Sequence, residues 1–98
     1  MDYSQLSDFE INKLVLNKVS NGKPEEWLEP YASFDPCNDP SDAWPIIVEN
    51  KIGLTPPMHD ENWEAMTFDK FGYVNKNEYT AKPLRAAMIV FLLMKEKK

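Results

Sequence analysis

The C-terminal part of the chain contains its longest apolar run, residues 86–94. When these residues are wound into a helix, apolar side chains fall on nearly every face, with Met88 and Phe91 on one side and Ile89 and Leu93 on another. The run has nine residues, whereas a membrane-spanning helix needs about 20. Such a helix must be covered on more than one side, either by the rest of the chain or by a second copy of it. We therefore predict that it lies at the centre of the fold.

A first helix is predicted near the N-terminus. Ser7 and Glu10 have the spacing of a capping box, in which each side chain accepts a hydrogen bond from the backbone N–H of the other residue. The helix that follows runs from about residue 8 to residue 20, and the Asn21-Gly22 pair ends it. Its apolar side consists of Ile11, Leu14, Val15 and Val19, and its polar side of Asn12, Lys13, Asn17 and Lys18.

A second helix is predicted after Asp39, whose side chain is placed to cap it, and Pro40 suits its first position. Pro45 would remove a hydrogen bond from a helix that is regular from Pro40. A short 3₁₀ turn followed by a helix from about Trp44 is therefore the alternative. Gly53 is expected to mark the end of this helix.

Three segments have the composition of short strands. Residues 30–34 are rich in aromatic side chains but contain a proline, which suits an edge strand or an extended segment. Apolar and polar residues alternate loosely over residues 63–68, which predicts a strand. Residues 71–74 can form a second strand that pairs with it around a turn at Asp69 and Lys70.

Thr80 is expected to cap the last helix, which ends near Lys95. With helices at both ends and short strands between them, the chain is predicted to be α+β: three helices packed on a short two- to three-stranded antiparallel sheet. Its 98 residues are enough for one modest core, so residues 1–98 are predicted to form a single domain.

The charge of the chain is acidic and uneven. The formal net charge is −5, with 4 Lys/Arg against 12 Asp/Glu in residues 1–62 and 7 against 4 in residues 63–98. Acidic surfaces repel nucleic-acid phosphates, so direct nucleic-acid binding is not expected. One cysteine cannot form an internal disulfide, and the polar N-terminus lacks the pattern of a secretory signal. We expect a protein of the cytoplasm that does not associate with membranes.

Residues 34–50 combine prolines, acids, the only cysteine and a tryptophan in one turn and helix start. Several of these side chains have an obvious structural role, because Asp39 caps the helix, Asp42 meets the positive end of its dipole, and Trp44 is expected to be wholly structural. Asp35 and Cys37 have no such role. The candidate functional surface predicted from the sequence is Asp35, Cys37, Asp39, Asp42 and Trp44.

A catalytic use of this segment is a weaker hypothesis. Cys37 and His59, with nearby acids, could form the site of a small hydrolase, as a nucleophilic pair, or of a metal-dependent enzyme. A reactive thiolate needs an electropositive setting, however, and the residues around Cys37 in sequence are acidic. The spacing of Asp35, Cys37 and Asp39 imitates the start of a calcium loop, but its sixth position is Pro40 instead of glycine. We therefore predict no catalytic residues, no metal and no cofactor.

Three blocks of the sequence, residues 1–12, 34–47 and 83–92, occur in the order typical of one protein family. The most specific is the middle block, Asp-Pro-Cys-Asn-x-Pro-x-Asp-Ala-Trp-Pro. In these blocks the chain resembles the phage NinX-like family, which comprises small proteins of tailed phages and enterobacterial prophages. The resemblance implies a phage or prophage protein in the cytoplasm of a bacterial host. It carries over no catalytic residue.

The surplus of aromatic residues favours a protein that acts by contact with another protein, because aromatics dominate binding surfaces. The expected partner is a host or phage protein, and the chain itself is expected to be a monomer or a homodimer formed through the C-terminal helix. A further hypothesis is an acidic regulator, or a nucleic-acid mimic, that targets a DNA-binding protein. It would require carboxylates aligned on one face.

Overall fold

The computed structural model describes residues 2–20, 34–58 and 60–96. Within them the fold is α+β, as predicted, with three α-helices, a three-stranded antiparallel sheet and a short 3₁₀ helix. In chain order the elements are the 3₁₀ helix Tyr3–Gln5, α1 Asp8–Val19, α2 Pro40–Glu49, β1 Gly53–Thr55, β2 Trp63–Phe68, β3 Val74–Thr80 and α3 Pro83–Lys95.

The helix α3 lies at the centre of this structure, as its apolar composition predicts. It packs on one face of the sheet and also contacts α1 and α2. Seven consecutive side chains of α3, from Ala86 to Leu92, are each at most 2% exposed. Ile11 and Val15 of α1 and Ile47 of α2 complete the core around it. The rest of the chain thus covers this helix on several sides.

The sheet has the strand order β1-β2-β3, with both pairs antiparallel. A tight turn joins β2 to β3, and Asp69 closes it: its N–H donates to the carbonyl of Tyr73 at 2.8 Å. Gly72 within this turn has φ of 89°, a left-handed conformation that favours glycine. The strand predicted over residues 71–74 is wrong in its position, because the turn occupies residues 69–73 and β3 begins at Val74.

The starts of the three helices confirm two of the predicted N-caps and contradict the third. The capping box of α1 is confirmed, with both hydrogen bonds between Ser7 and Glu10 present. Asp39 caps α2 as predicted, through a hydrogen bond from the N–H of Ser41 to Oδ1. The prediction for α3 is wrong, because Thr80 is the last residue of β3 and the N-cap position belongs to Lys82, whose side chain makes no capping bond.

The helix α2 is regular from Pro40, so the alternative start near Trp44 is wrong. Pro45 lies within the helix on its exposed side, where solvent can reach the carbonyl group that the proline leaves without a donor. The helix ends at Glu49, and the left-handed residue that follows is Lys51, with φ of 55°. Gly53, predicted to end the helix, instead begins β1. A Cβ atom added at Gly53 would lie 3.0 Å from Sδ of Met66 on β2, which is closer than ordinary van der Waals contact.

Some predictions fall outside the described residues. They are the Asn21-Gly22 end of the first helix and most of the strand predicted over residues 30–34; Phe34, which is described, belongs to no helix or strand. His59 also lies outside them. Among the helices of the described part, none has the length and apolar character needed to span a membrane.

Candidate functional site

The segment before α2 folds into a hydrogen-bonded corner centred on Asp35. The carbonyl of Asp35 accepts hydrogen bonds from the N–H groups of Asn38 and Asp39, at 3.0 and 2.7 Å, which makes residues 35–39 a tight turn. The N–H of Asp35 donates to Oδ2 of Asp42 at 2.9 Å. Oδ1 of Asp35 accepts hydrogen bonds from the side-chain amides of Asn12 and Asn38, at 2.7 and 3.1 Å. Asp35, which had no structural role in the sequence, therefore organises the turn.

Asn12 joins this corner to α1. Its side chain is 9% exposed, its Nδ2 donates to Asp35, and its Oδ1 accepts from the N–H of Cys37 at 3.1 Å. The placement of Asn12 on the polar side of α1 is therefore wrong. A signal was present in the sequence, because the buried Val15 and Leu16 follow Asn12 at the i+3 and i+4 spacing of one helix face.

Cys37 is 1% exposed and belongs to the core. Burial raises the pKa of its thiol to about 12, and the negative charges of Asp8 and Asp35 act in the same direction, while Arg85 opposes them. At neutral pH the side chain is a protonated thiol. It has the properties of a small apolar core residue and lacks those of a nucleophile.

A charged cluster of Asp8, Lys82 and Arg85 lies beside the corner and ties the start of α1 to the start of α3. Arg85 Nη1 donates to Asp8 Oδ1 at 2.7 Å, and Lys82 forms an ion pair with the other carboxylate oxygen. Arg85 Nη2 also donates to the carbonyl of Leu6 at 2.6 Å. Burial tends to raise the pKa of Asp8, but the hydrogen bonds from Lys82, Arg85 and Asn38 outweigh it and hold this pKa below its ordinary value.

The cluster was missed in the sequence, although one signal for it exists. Arg85 is the single charged side chain in the first two turns of an otherwise apolar helix, and a lone arginine at such a position needs a partner. The partner is Asp8, 77 residues earlier in the chain. Asn38 links the cluster to the corner, because its Nδ2 also donates to Asp8 Oδ2 at 3.2 Å.

Trp44 is the member of the predicted surface that lies open to solvent. Its side chain is 61% exposed, so the prediction that it is wholly structural is wrong. Val48, one turn later on α2, is 54% exposed. The core is instead contacted by Ala43, Ile46 and Ile47, which occupy the opposite side of the helix. Trp44 and Val48 thus form an apolar strip on the outer side of α2, which we call the Trp44 strip.

A groove of about 380 Å³ runs beside this strip, between α2 and the end of α1. Its apolar walls come from Val19, Phe34, Pro45 and Ile46, and its acidic side chains are Asp42 and Glu49. Ser41 lines this groove and lies one helical turn before Trp44, so the groove and the Trp44 strip are adjacent. The combination is suited to binding an apolar side chain whose neighbours are basic.

The five residues of the predicted surface therefore separate into two groups. Asp35, Cys37 and Asp42 are joined to one another or to α1 by hydrogen bonds and burial, and Asp39 caps α2, whereas Trp44 faces solvent. Among the described side chains, no three His, Cys, Asp or Glu residues are grouped closely enough to hold a metal ion. The groups that this surface and the adjacent groove present are apolar and acidic.

The model of the family described as Bacteriophage P22, NinX matches residues 2–95. No curated protein and no solved structure matches the chain.

Proposed function

We propose a binding function for this chain, which belongs to the bacteriophage P22 NinX family. It is a small phage-encoded protein. We infer that it is an accessory protein that works in the cytoplasm of the bacterial host, where it acts by contact with a host or phage protein and not by catalysis. Its partner contacts the Trp44 strip on α2.

The exposure of Trp44 is the observation that carries this proposal. Tryptophan is among the side chains most often found at the energetic centre of protein interfaces, where it buries a large area with little loss of conformational freedom. This tryptophan has an exposed apolar neighbour in Val48 and an apolar groove beside it, whose walls include Pro45. Exposed apolar side chains that stand alone are ordinary, but a contiguous set of this kind favours a binding surface.

The charge around the strip favours a particular kind of partner. Asp42 and Glu49 border the groove, and Oδ2 of Asp42 also accepts a hydrogen bond from the N–H of Asp35. A basic rim around an apolar contact on the partner would complement these carboxylates. An acidic regulator of a DNA-binding protein has less support, because many described carboxylates are already used as acceptors inside the chain, including those of Asp8 and Asp35.

The alternative of a small hydrolase has less support as well. It requires Cys37 as a thiolate, and the burial of this side chain and its raised pKa count against that form at neutral pH. The relation of Cys37 to His59 lies outside the described residues.

The proposal is tested by affinity capture with a matched pair of variants. The wild-type chain, Trp44→Ala and Phe71→Ala are immobilised and incubated with lysate of host cells, with and without phage infection. Phe71 is a suitable control, because it is an exposed aromatic residue in the β2–β3 turn. We expect a protein that wild type and Phe71→Ala retain equally and that Trp44→Ala retains about tenfold less or not at all. Equal retention by all three chains, or by none, would contradict the proposal.

A further inference from the structure

The strand β3 is an edge of the sheet. It pairs with β2 on one side, and no described strand lies on its other side. It is also the longest strand, with seven residues, and no proline interrupts it. An edge strand of this length presents a row of backbone N–H and C=O groups that can pair with another strand. Whether such pairing is specific depends on the side chains.

The charged side chains of β3 are placed so that two copies of the strand can bring opposite charges together. Lys76 and Glu78 lie two residues apart and hence on the same face of the sheet. If two copies of β3 run antiparallel about a two-fold axis at Asn77, Lys76 of each copy lies opposite the partner's Glu78. Opposite charges in directly opposed positions stabilise a strand pair, and like charges destabilise it.

Other alignments of two copies lack this property. An axis at Lys76 would place the two lysines opposite each other, and an axis at Glu78 would do the same with the two glutamates. If the alignment of the two strands slipped by a single residue, the face covered by α3 in one copy would lie on the opposite side of the joined sheet from the face covered by α3 in the other. The pattern therefore selects one alignment among the near ones.

We propose that β3 is a homodimer interface, at which two copies of the chain pair antiparallel about Asn77 to form one continuous six-stranded sheet. The register of β3 with β2 skips Asn75, so the regular pairing that two copies share is centred on residues 76–78. The two-fold axis is perpendicular to the sheet, so both copies of α3 lie on the same face. The interface leaves the Trp44 strip free, because that strip is on α2.

The surroundings of Glu78 agree with this arrangement. Glu78 is half-buried on the face covered by α3, opposite Ala65 of β2. Burial raises the pKa of its carboxyl, Asp2 adds to this, and Arg85 opposes it. The ammonium group of the partner's Lys76 would favour the charged form of this carboxylate.

The proposal is tested by exchanging the two charges. Sedimentation velocity over a range of concentrations compares wild type, Lys76→Glu, Glu78→Lys and the double variant with both changes. We expect each single change to weaken dimerisation by about tenfold or more, because it replaces two attractive pairs by two repulsive ones. The double variant restores the opposite charges and should dimerise as wild type does. Lys70→Glu, which makes the same charge change in the β2–β3 turn, should have no effect.

A covalent test does not depend on how the charge variants fold. In the proposed alignment the Cα atoms of the two Asn77 residues lie about 4.5–5.5 Å apart, a separation that a disulfide can span. Asn77→Cys should therefore form a covalent dimer under mild oxidation, whereas Lys70→Cys and the wild type, whose Cys37 is buried, should not. A wild type that stays monomeric at all concentrations, single variants that associate like wild type, or a double variant that does not recover would each overturn the proposal.

Discussion

The Nδ2 atom of Asn12 lies 2.7 Å from Oδ1 of Asp35, and this hydrogen bond joins the middle of α1 to the turn before α2. The Oδ1 atom of the same asparagine accepts from the N–H of Cys37. One buried amide therefore satisfies two polar groups of a segment that is more than 20 residues away in sequence. Stability should depend strongly on this side chain.

We expect Asn12→Ala to lower the free energy of unfolding by about 2–4 kcal/mol, because it leaves the buried N–H of Cys37 without its acceptor and removes one of the two amide donors to the half-buried Asp35 carboxylate. Urea denaturation followed by circular dichroism measures the change. Asn17→Ala is the control, since Asn17 is an exposed asparagine on the same helix, and its effect should be within about 0.5 kcal/mol. Equal effects of the two variants would show that the corner does not stabilise the fold.

Asp8 should make stability depend on pH in the acid range. Its folded pKa is held below the ordinary value of 3.8, so its contribution is fully present above that pH and is lost as pH falls through the folded pKa. Asp8→Asn should cost about 1–2 kcal/mol at pH 7, and the cost should shrink in acid. Denaturation curves between pH 2 and pH 7 measure it. Asp60→Asn, which removes an exposed aspartate outside the cluster, is the control.

Cys37 should resist thiol reagents in the folded protein, because the side chain is buried and its pKa is raised to about 12. We expect a disulfide reagent at pH 8 to modify it only as fast as the fold opens, and immediately in concentrated urea. An added cysteine at an exposed position of the next helix, Ser41→Cys, should react at once without denaturant. Rapid modification of Cys37 in the native state would mean that the thiol is accessible and would reopen its use as a nucleophile.

Substitutions of Trp44 and Ile47, which lie on opposite sides of α2, should have very different effects on the free energy of unfolding. Trp44→Ala should change the free energy of unfolding by no more than about 0.5 kcal/mol, since the side chain faces solvent. Ile47→Ala should cost about 2–4 kcal/mol, because Ile47 is buried beside α3. Both are measured by urea denaturation. A large loss for Trp44→Ala would indicate that the tryptophan is part of the core and would remove the basis of the Trp44 strip.

Tyr3 should contribute stability that disappears in alkali. Its hydroxyl donates to Oε2 of Glu96 at 2.7 Å, and burial together with this hydrogen bond raises its pKa from 10.0 to about 12. A raised folded pKa means that the contribution is fully present below pH 10 and is lost as pH rises toward 12. Tyr3→Phe should therefore cost about 1 kcal/mol at pH 8, with the difference from wild type shrinking above pH 10. Thermal unfolding at a series of pH values measures it.

The parts of the fold that were predictable from the sequence are those with local signals. The capping box of Ser7 and Glu10 sets the start of α1, and Asp39 with Pro40 sets the start of α2. The central position of α3 follows from its composition, because that position keeps its many apolar side chains from water. Each of these conclusions needs only neighbouring residues in the sequence or the apolar composition of one segment.

The remaining features depend on contacts between distant segments. The spacing to Val15 and Leu16 places Asn12 toward the core, but nothing in α1 specifies that its partners are Asp35 and Cys37. Trp44 is exposed because the other side of α2 faces α3. Much of β3 is polar, and its extended conformation is set by pairing with β2, so residues 75–79 do not have the pattern of a strand.

The central position of α3 also has a consequence for synthesis. A growing polypeptide leaves the ribosome from its N-terminus, so this helix emerges after every other described element of the fold. Until residues 83–95 are free, α1, α2 and the sheet have no common surface to pack on. Folding must therefore wait until residues 83–95 have left the ribosome, and nascent chains stalled before Pro83 should remain open to proteases while longer ones become resistant.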